Sequence, residues 1–232
     1  VKAEQTISQP VGSPVDPKPA PMPGSIVLKG RFGHIERLDP SRHGAELWRL
    51  LHKDASVWTY MFYGPFADAD AFSSFLKKTE PLENQIYYAI CDHESRPQGW
   101  ASLMEIRPAD RVIEVGSIVY GPGLQRTPLA TEAQYLLAQY VFETLGYRRY
   151  EWKCDALNAR SRRAAERFGF SFEGIFRQHK IVKGRNRDTA WFAMLDSEWP
   201  RAKAAFEQWL EPKNFDANGN QRFSLEAIRK TL

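Results

Sequence analysis

The chain reads as a mixed α/β fold of the α+β kind, a mostly antiparallel sheet with helices packed on it, and three stretches predict this. Residues 86–106 hold two alternating runs: Ile86, Tyr88 and Ile90 point one way in the first, and Trp100, Ser102 and Met104 oppose Ala101, Leu103 and Glu105 in the second. With Val112 to Tyr120, a β-branched run, they form an antiparallel meander. Beyond it Ala133, Leu136, Leu137, Tyr140, Val141 and Leu145 recur at helical spacing, and Tyr150, Trp152 and Cys154 then alternate with Arg149, Glu151 and Lys153. A strand, a helix and a strand in succession imply a right-handed crossover, so residues 150–154 are expected to lie parallel to 112–120.

At 232 residues the chain can hold one sizeable core with extensions. The expected organisation is a Pro-rich arm over residues 1–24, one domain over 25–199 and a helical extension over 200–232. A hydrophobic share of 43% with 13% aromatics is that of a globular protein. No apolar run approaches the roughly 20 residues that span a bilayer, and the arm lacks the basic start and apolar run of a secretion signal. A cytoplasmic protein with no membrane partner is expected. The net charge of +4 is too balanced, and the basic residues too dispersed, to argue for nucleic acid. Cys91 and Cys154 give neither a disulfide framework nor a CxxC ligand set, and the histidines show no HExxH spacing, so no metal is predicted.

Taken in order, the prolines at 10, 14, 17, 19, 21 and 23 make the arm flexible or extended, with packing on a partner subunit of a homodimer as one open role. Ser25 to Leu38 reads as a strand region bent near Gly30 or Gly33. Asp39-Pro40 is an N-cap followed by proline at the first helical position, opening a helix with His43, Leu47, Leu50 and Leu51 on one face. His43 has no acid or nucleophile at a useful spacing and reads as a packed or surface residue. Val57 to Phe66 is dense in aromatics and reads equally as core or as a substrate-pocket wall. Asp68 caps a second helix that turns Phe72, Phe75 and Leu76 inward. After the meander and its helix, Gly146 is the C-cap. Asn158 caps a further helix that Gly169 stops, with Ala165 and Phe168 facing in. Phe170 to Phe176 and Ala190 to Leu195 read as two final strands joined through a Lys183 to Asp188 loop. A helix from Glu198 to Leu210 precedes a peripheral tail with one short helix.

The stretch Gln125-Arg126-Thr127-Pro128-Leu129-Ala130, between strand and helix, reads either as an ordinary loop or as a backbone cradle for a pyrophosphate. Such a junction gathers unpaired NH groups and the positive end of the helix dipole. The order of elements, together with Glu114-Val115-Gly116, Thr131-Glu132-Ala133, Asn158-Ala-Arg-Ser161 and Arg167-Phe-Gly-Phe170 followed by Glu173-Gly174, resembles the GCN5-related N-acetyltransferase (GNAT) superfamily over roughly Ser25 to Trp199. Within it the motifs look most similar to the RimJ/RimL-like branch. The resemblance implies a sheet splayed between its two parallel strands, acetyl-CoA as co-substrate, and acetyl transfer to a primary amine of a small molecule or a protein N-terminus. The superfamily's signature has Gln or Arg first, Gly fourth and Gly or Ala sixth. Gln125 and Ala130 match, and Pro128 departs, offering no NH.

The cradle is therefore assigned to the NH groups of Arg126, Thr127, Leu129, Ala130 and Thr131, with the Arg126 side chain or the Thr127 hydroxyl compensating. Ile118, Val119 and Tyr120 are expected along the acyl arm, with an NH near Ile118 or Val119 as oxyanion donor. Arg160, Arg162, Arg163 and Arg167 read as a solvated helix face or as a ribose-phosphate site. An alkylammonium, with a pKa of roughly 10, must lose a proton before it attacks. Glu114, facing the cleft with Gly116 and Ile118, is the candidate base, a structural carboxylate being the alternative. The resemblance places Ser161 as donor to the departing thiolate and Asn158 on the pantetheine arm; Ser161 as a plain helix residue is the other reading. Trp58, Tyr60, Phe62, Arg177 and the 183–188 loop are expected at the acceptor mouth, where cations would favour an acidic acceptor. An acyl-CoA-binding sensor or scaffold without turnover is the alternative function.

Overall fold

The computed structural model describes residues 9–232; positions 1–8 of the arm lie outside the described residues. Eight strands form one sheet in the order β1-β2-β3-β4-β5-β6-β8-β7. They are β1 (Val27–Lys29), β2 (His34–Arg37), β3 (Gln85–Cys91), β4 (Pro97–Arg107), β5 (Val112–Tyr120), β6 (Arg149–Asp155), β7 (Ser171–Val182) and β8 (Arg185–Leu195). Every neighbouring pair is antiparallel except β5 and β6, the pair predicted to be parallel. The helices are α1 (Pro40–Leu51), α2 (Ala69–Thr79), α3 (Pro128–Gln139), α4 (Ala159–Phe168), α5 (Trp199–Leu210) and α6 (Leu225–Thr231), and α3 runs on into a π-helical turn, Tyr140–Thr144. No helix among the described residues is long and apolar enough to cross a membrane.

The sheet divides the interior in two. On one face α1, α2 and Trp58 pack on Tyr87, Ala89, Cys91, Trp100 and Val119. On the other, α3, α4, α5 and α6 pack on Tyr88, Ile113, Val115, Tyr150, Trp152 and Cys154. Local chemistry sets the helix starts: Asp39 accepts from the NH groups of Ser41 and Arg42, Asp68 from that of Ala71 and Asn158 from that of Ser161. Gly169, at φ 101°, ends α4 in the left-handed conformation that glycine adopts at least cost.

Parallel pairing of β5 with β6 runs from Val112 opposite Arg149 to Val115 opposite Trp152 and stops there, although both strands continue. In the same place β5 bulges against β4: the register breaks between Gly116 and Val119, and Ser117 takes φ 47°. Ser117 and Ile118 thus have no ladder partner on either side, and the sheet is open between its two parallel strands.

Three expectations need correction. The 183–188 segment is not a loop: β7 and β8 run to Val182 and from Arg185, so Lys183-Gly184 is the whole turn. The residues after Leu210 are not peripheral, because Asn214, Leu225 and Ile228 are buried and Arg229 donates to the carbonyls of Arg167 (2.7 Å) and Glu166 (2.9 Å). The boundary expected after 199 falls inside α5, which belongs to the main core. The arm is anchored over its last residues to its own sheet and helices: the Ala20 NH donates to the Pro108 carbonyl (3.0 Å), the Tyr147 hydroxyl to the Pro21 carbonyl (3.2 Å), and Tyr140 and Tyr88 bond Gly24.

Candidate active site

The turn after β5 is built as a partial amide nest. Arg126 adopts φ 64°, which turns its neighbouring NH groups to one side, and α3 starts immediately after it with Pro128 at its first position. Among the described residues the NH groups of Arg126 and Leu129 meet no acceptor. The other three NH groups expected in the cradle are taken: that of Thr127 bonds the Leu124 carbonyl, that of Ala130 the Thr127 hydroxyl (3.2 Å), and that of Thr131 the Thr127 carbonyl. The Thr127 hydroxyl itself donates to the Leu124 carbonyl (2.7 Å), so its proton does not stand in for the amide that Pro128 lacks. Instead it caps α3 and fixes the turn. Gln125 folds its amide onto the Tyr120 carbonyl (3.2 Å), while the Tyr120 side chain lies between Gln134 (2.7 Å) and the Ala130 carbonyl (3.4 Å); burial pushes its phenol up to about 12. Thr131 is buried under Arg167 (3.1 Å). Of the four α4 arginines, Arg162 and Arg167 are folded onto Phe172 and onto Phe168 and Trp209, whereas Arg160 and Arg163 are exposed.

Glu114 and Ser161 stand on opposite faces of the sheet where the two parallel strands part. Register fixes Glu114 opposite Met104 on one side and Glu151 on the other, which puts it on the α1–α2 face. Trp152, one residue out of phase, points to the α3–α4 face, where its indole NH donates to the Ser161 hydroxyl oxygen (2.9 Å). That bond occupies an acceptor lone pair and leaves the Ser161 O–H as a donor, with the Cys154 sulfur as its neighbour in the protein. Asn158 spends its side-chain oxygen on the Ser161 NH (3.1 Å), holding the first turn of α4.

Glu114 is buried, and one oxygen, Oε2, accepts from Lys153 Nζ at 2.7 Å. Burial drives its carboxyl up to about 7 against the pull of the Lys153 charge. Its other oxygen lies by Gly116, where an added Cβ would come within 3.2 Å of it and 2.5 Å of the Met104 sulfur.

The aromatic segment resolves residue by residue. Trp58 is interior, against Trp100, Phe66 and Phe72. Tyr60 and Phe62 are on the rim: the Tyr60 hydroxyl reaches the Leu157 carbonyl (3.3 Å), and Phe62 is half exposed under Arg187 (4.7 Å) and Lys180 (5.9 Å). Lys183 donates to the Trp58 carbonyl (2.7 Å), joining the β7–β8 turn to this segment. The cations on this rim are therefore Lys180, Lys183 and Arg187; Arg177 is exposed in the register break between Phe176 and Lys180, beside Asp188. Sequence reasoning missed Lys153, Glu151 and Lys180, and had Arg187 only as part of the 183–188 loop. The first two are signalled only by sharing a strand face that pairs with Glu114, and Lys180 lies in the stretch between the expected end of its strand and that loop.

His34, Glu36 and Cys91, which no sequence spacing links, come within 4.8 Å of one another. The Glu36 oxygen nearest them is already the acceptor for Arg42 and for His43 (3.0 Å), so the group reads as an ion-paired anchor between β2 and α1, and His43 as buried structure.

Comparison with known proteins agrees with this fold. Residues 35–171 match the family model described as an acetyltransferase (GNAT) domain. A GCN5-related N-acetyltransferase from Brucella melitensis is 48% identical, with 92% of this chain and 98% of that one covered and a TM-score of 0.89. A probable GNAT-family acetyltransferase from Chromobacterium violaceum ATCC 12472 is 42% identical over 83% of this chain and 100% of that one, with a TM-score of 0.77. The uncharacterized N-acetyltransferase YnaD of Bacillus subtilis (strain 168) is 26% identical over 156 residues, 66% of this chain and 89% of that one. With the family model spanning more than half of its length, the chain belongs to the GNAT acetyltransferases.

Proposed function

We propose that the protein transfers the acetyl group of acetyl-CoA to a primary amine by direct attack, with Glu114 as general base, directly or through a water, and Ser161 as donor to the departing sulfur. One observation carries the reading: a buried carboxylate and a hydroxyl donor flank, from opposite faces, the point where β5 and β6 part. Acetyl-CoA, when bound, supplies an activated thioester. The free NH groups of Arg126 and Leu129, with the α3 dipole behind them, suit its diphosphate. Ile118, outside the ladder, and Val119 next to it are placed to donate an NH to a carbonyl oxygen that gathers charge. Glu114 takes the ammonium proton; a carboxyl near 7 is both ionised enough to act and basic enough to be useful at neutral pH.

The acceptor enters from the α1–α2 face, between Tyr60, Phe62 and the β7–β8 hairpin, and is a small-molecule amine or a peptide N-terminus. The motifs noted above favour the RimJ/RimL-like branch, and Lys180, Lys183 and Arg187 favour an acceptor bearing a carboxylate or phosphate.

Purified Glu114→Gln and Ser161→Ala enzymes test the roles. Each is expected to lose turnover, by about 10²- to 10⁴-fold for a general acid–base group, with acetyl-CoA affinity by calorimetry nearly unchanged. Near-normal turnover of either variant removes that residue from the mechanism. A CoA-release screen across amino acids, polyamines, aminoglycosides and short peptides tests the acceptor. A preference for strongly cationic amines sinks the acidic-acceptor reading, and tight binding without CoA release across the screen would favour a sensor.

A further inference from the structure

Glu114 does not stand alone. Lys153, which bonds its Oε2, also donates to Glu151 Oε2 at 2.9 Å and lies 4.1 Å from the centre of the Trp191 ring. Glu151 is in turn held by Arg107 (2.7 Å) and Arg149 (2.7 Å), and Arg149 continues to Glu173 (2.8 Å). Burial opposes it, but Arg149 and Lys153 keep Glu151 below the ordinary carboxylate range. The two carboxylates around one ammonium are therefore unequal: Glu151 is fixed as an anion, while Glu114 is poised.

A buried ammonium whose only partner accepts a proton is left as an uncompensated charge, which is strongly unfavourable. Here Lys153 keeps Glu151 when Glu114 is protonated, so the proton is taken up without orphaning a buried charge. With Oε2 tied to Lys153, the oxygen left to meet a proton is the one beside Gly116, next to the opening in the sheet.

We propose that Lys153, braced by Glu151 and the face of Trp191, is a positioning residue for the reaction: it aims the free oxygen of Glu114 at the acceptor amine and keeps that carboxylate ionised in a buried site. The inference rests on the assignment of Glu114 as base. The other groups bearing on the pair are Glu105 from β4, Arg187 from β8 and His179 from β7. None of them is hydrogen-bonded to Glu114.

The test is the pH dependence of kcat/KM for acetyl transfer by wild type, Lys153→Met, Lys153→Arg, Glu151→Gln and Glu114→Gln. Removing the Lys153 charge is expected to move the acid limb up by roughly 1–3 pH units, and arginine is expected to restore it. Glu151→Gln removes a neighbouring negative charge and is expected to move the limb the other way, a pair of opposite shifts that general loss of structure does not produce. Should Lys153→Met fail to fold, the Glu151→Gln shift and the arginine variant decide. If Glu114→Gln loses the limb while the Lys153 and Glu151 variants leave it unmoved, the role given to Lys153 is wrong and the base stands. If Glu114→Gln keeps both limb and turnover, the base assignment falls, and this inference with it.

Discussion

Glu114 links chemistry to stability at the level of one side chain. Burial raises its carboxyl from the ordinary 4.5 to about 7, so the folded protein holds that proton more tightly than the unfolded chain does. The corresponding stability is fully present below about 4.5 and is lost as pH rises through about 7. Glu114→Gln has no such proton to lose. Its stability relative to wild type is therefore expected to shift in the variant's favour between pH 4.5 and 7, by an amount on the order of a few kcal/mol. Urea unfolding at pH 5 and pH 8 measures this, and a shift in the opposite sense would mean that pairing with Lys153 outweighs burial. The polarity of Glu114 on an apolar strand was legible in the sequence. Its partner was not, because Lys153 lies 39 residues away and meets it only through the β5–β6 register.

Among the elements, α3 depends on the residue that precedes it. Thr127 caps it with one hydroxyl that both donates and accepts, and the same bonds hold the turn that carries the free NH groups of Arg126 and Leu129. Thr127→Val is expected to cost about 0.5–2 kcal/mol of stability and to weaken acetyl-CoA binding, whereas Thr127→Ser preserves both; thermal melts and calorimetric titration separate the two effects. Starts and stops of this kind were readable because they are local. Asp39-Pro40, Asp68, Asn158 and Gly169 act on backbone within a few residues. The length of β7 and β8 was not readable. Most of β7 is exposed, with Phe176, Arg177, Gln178 and Lys180 showing no apolar alternation, and it is held by pairing along β8 rather than by a buried face.

For the molecule as a whole, the segment after α5 completes the core it seemed to trail behind. Leu225 is fully buried and Ile228 nearly so, in the cluster that includes Phe168 and Trp209. Leu225→Ala is expected to cost about 2–5 kcal/mol and to lower the melting temperature with little change in turnover below the transition. A neutral result in calorimetry would show that α6 contributes nothing to the fold. The large apolar residues of 211–232, Phe215, Phe223, Leu225, Ile228 and Leu232, are scattered among polar ones and give a sequence reader little reason to bury the segment; only the groove left by α4 and α5 does so. The same helix contributes Arg229, whose guanidinium closes the carbonyl end of α4, while the opposite end of α4 presents Ser161. Protein synthesis runs in one direction, and Arg229 follows Arg167 by 62 residues. A nascent chain has thus already made every side chain assigned to the reaction while the helix that presents one of them still lacks its terminal clasp, so this site is finished well after its own residues are made.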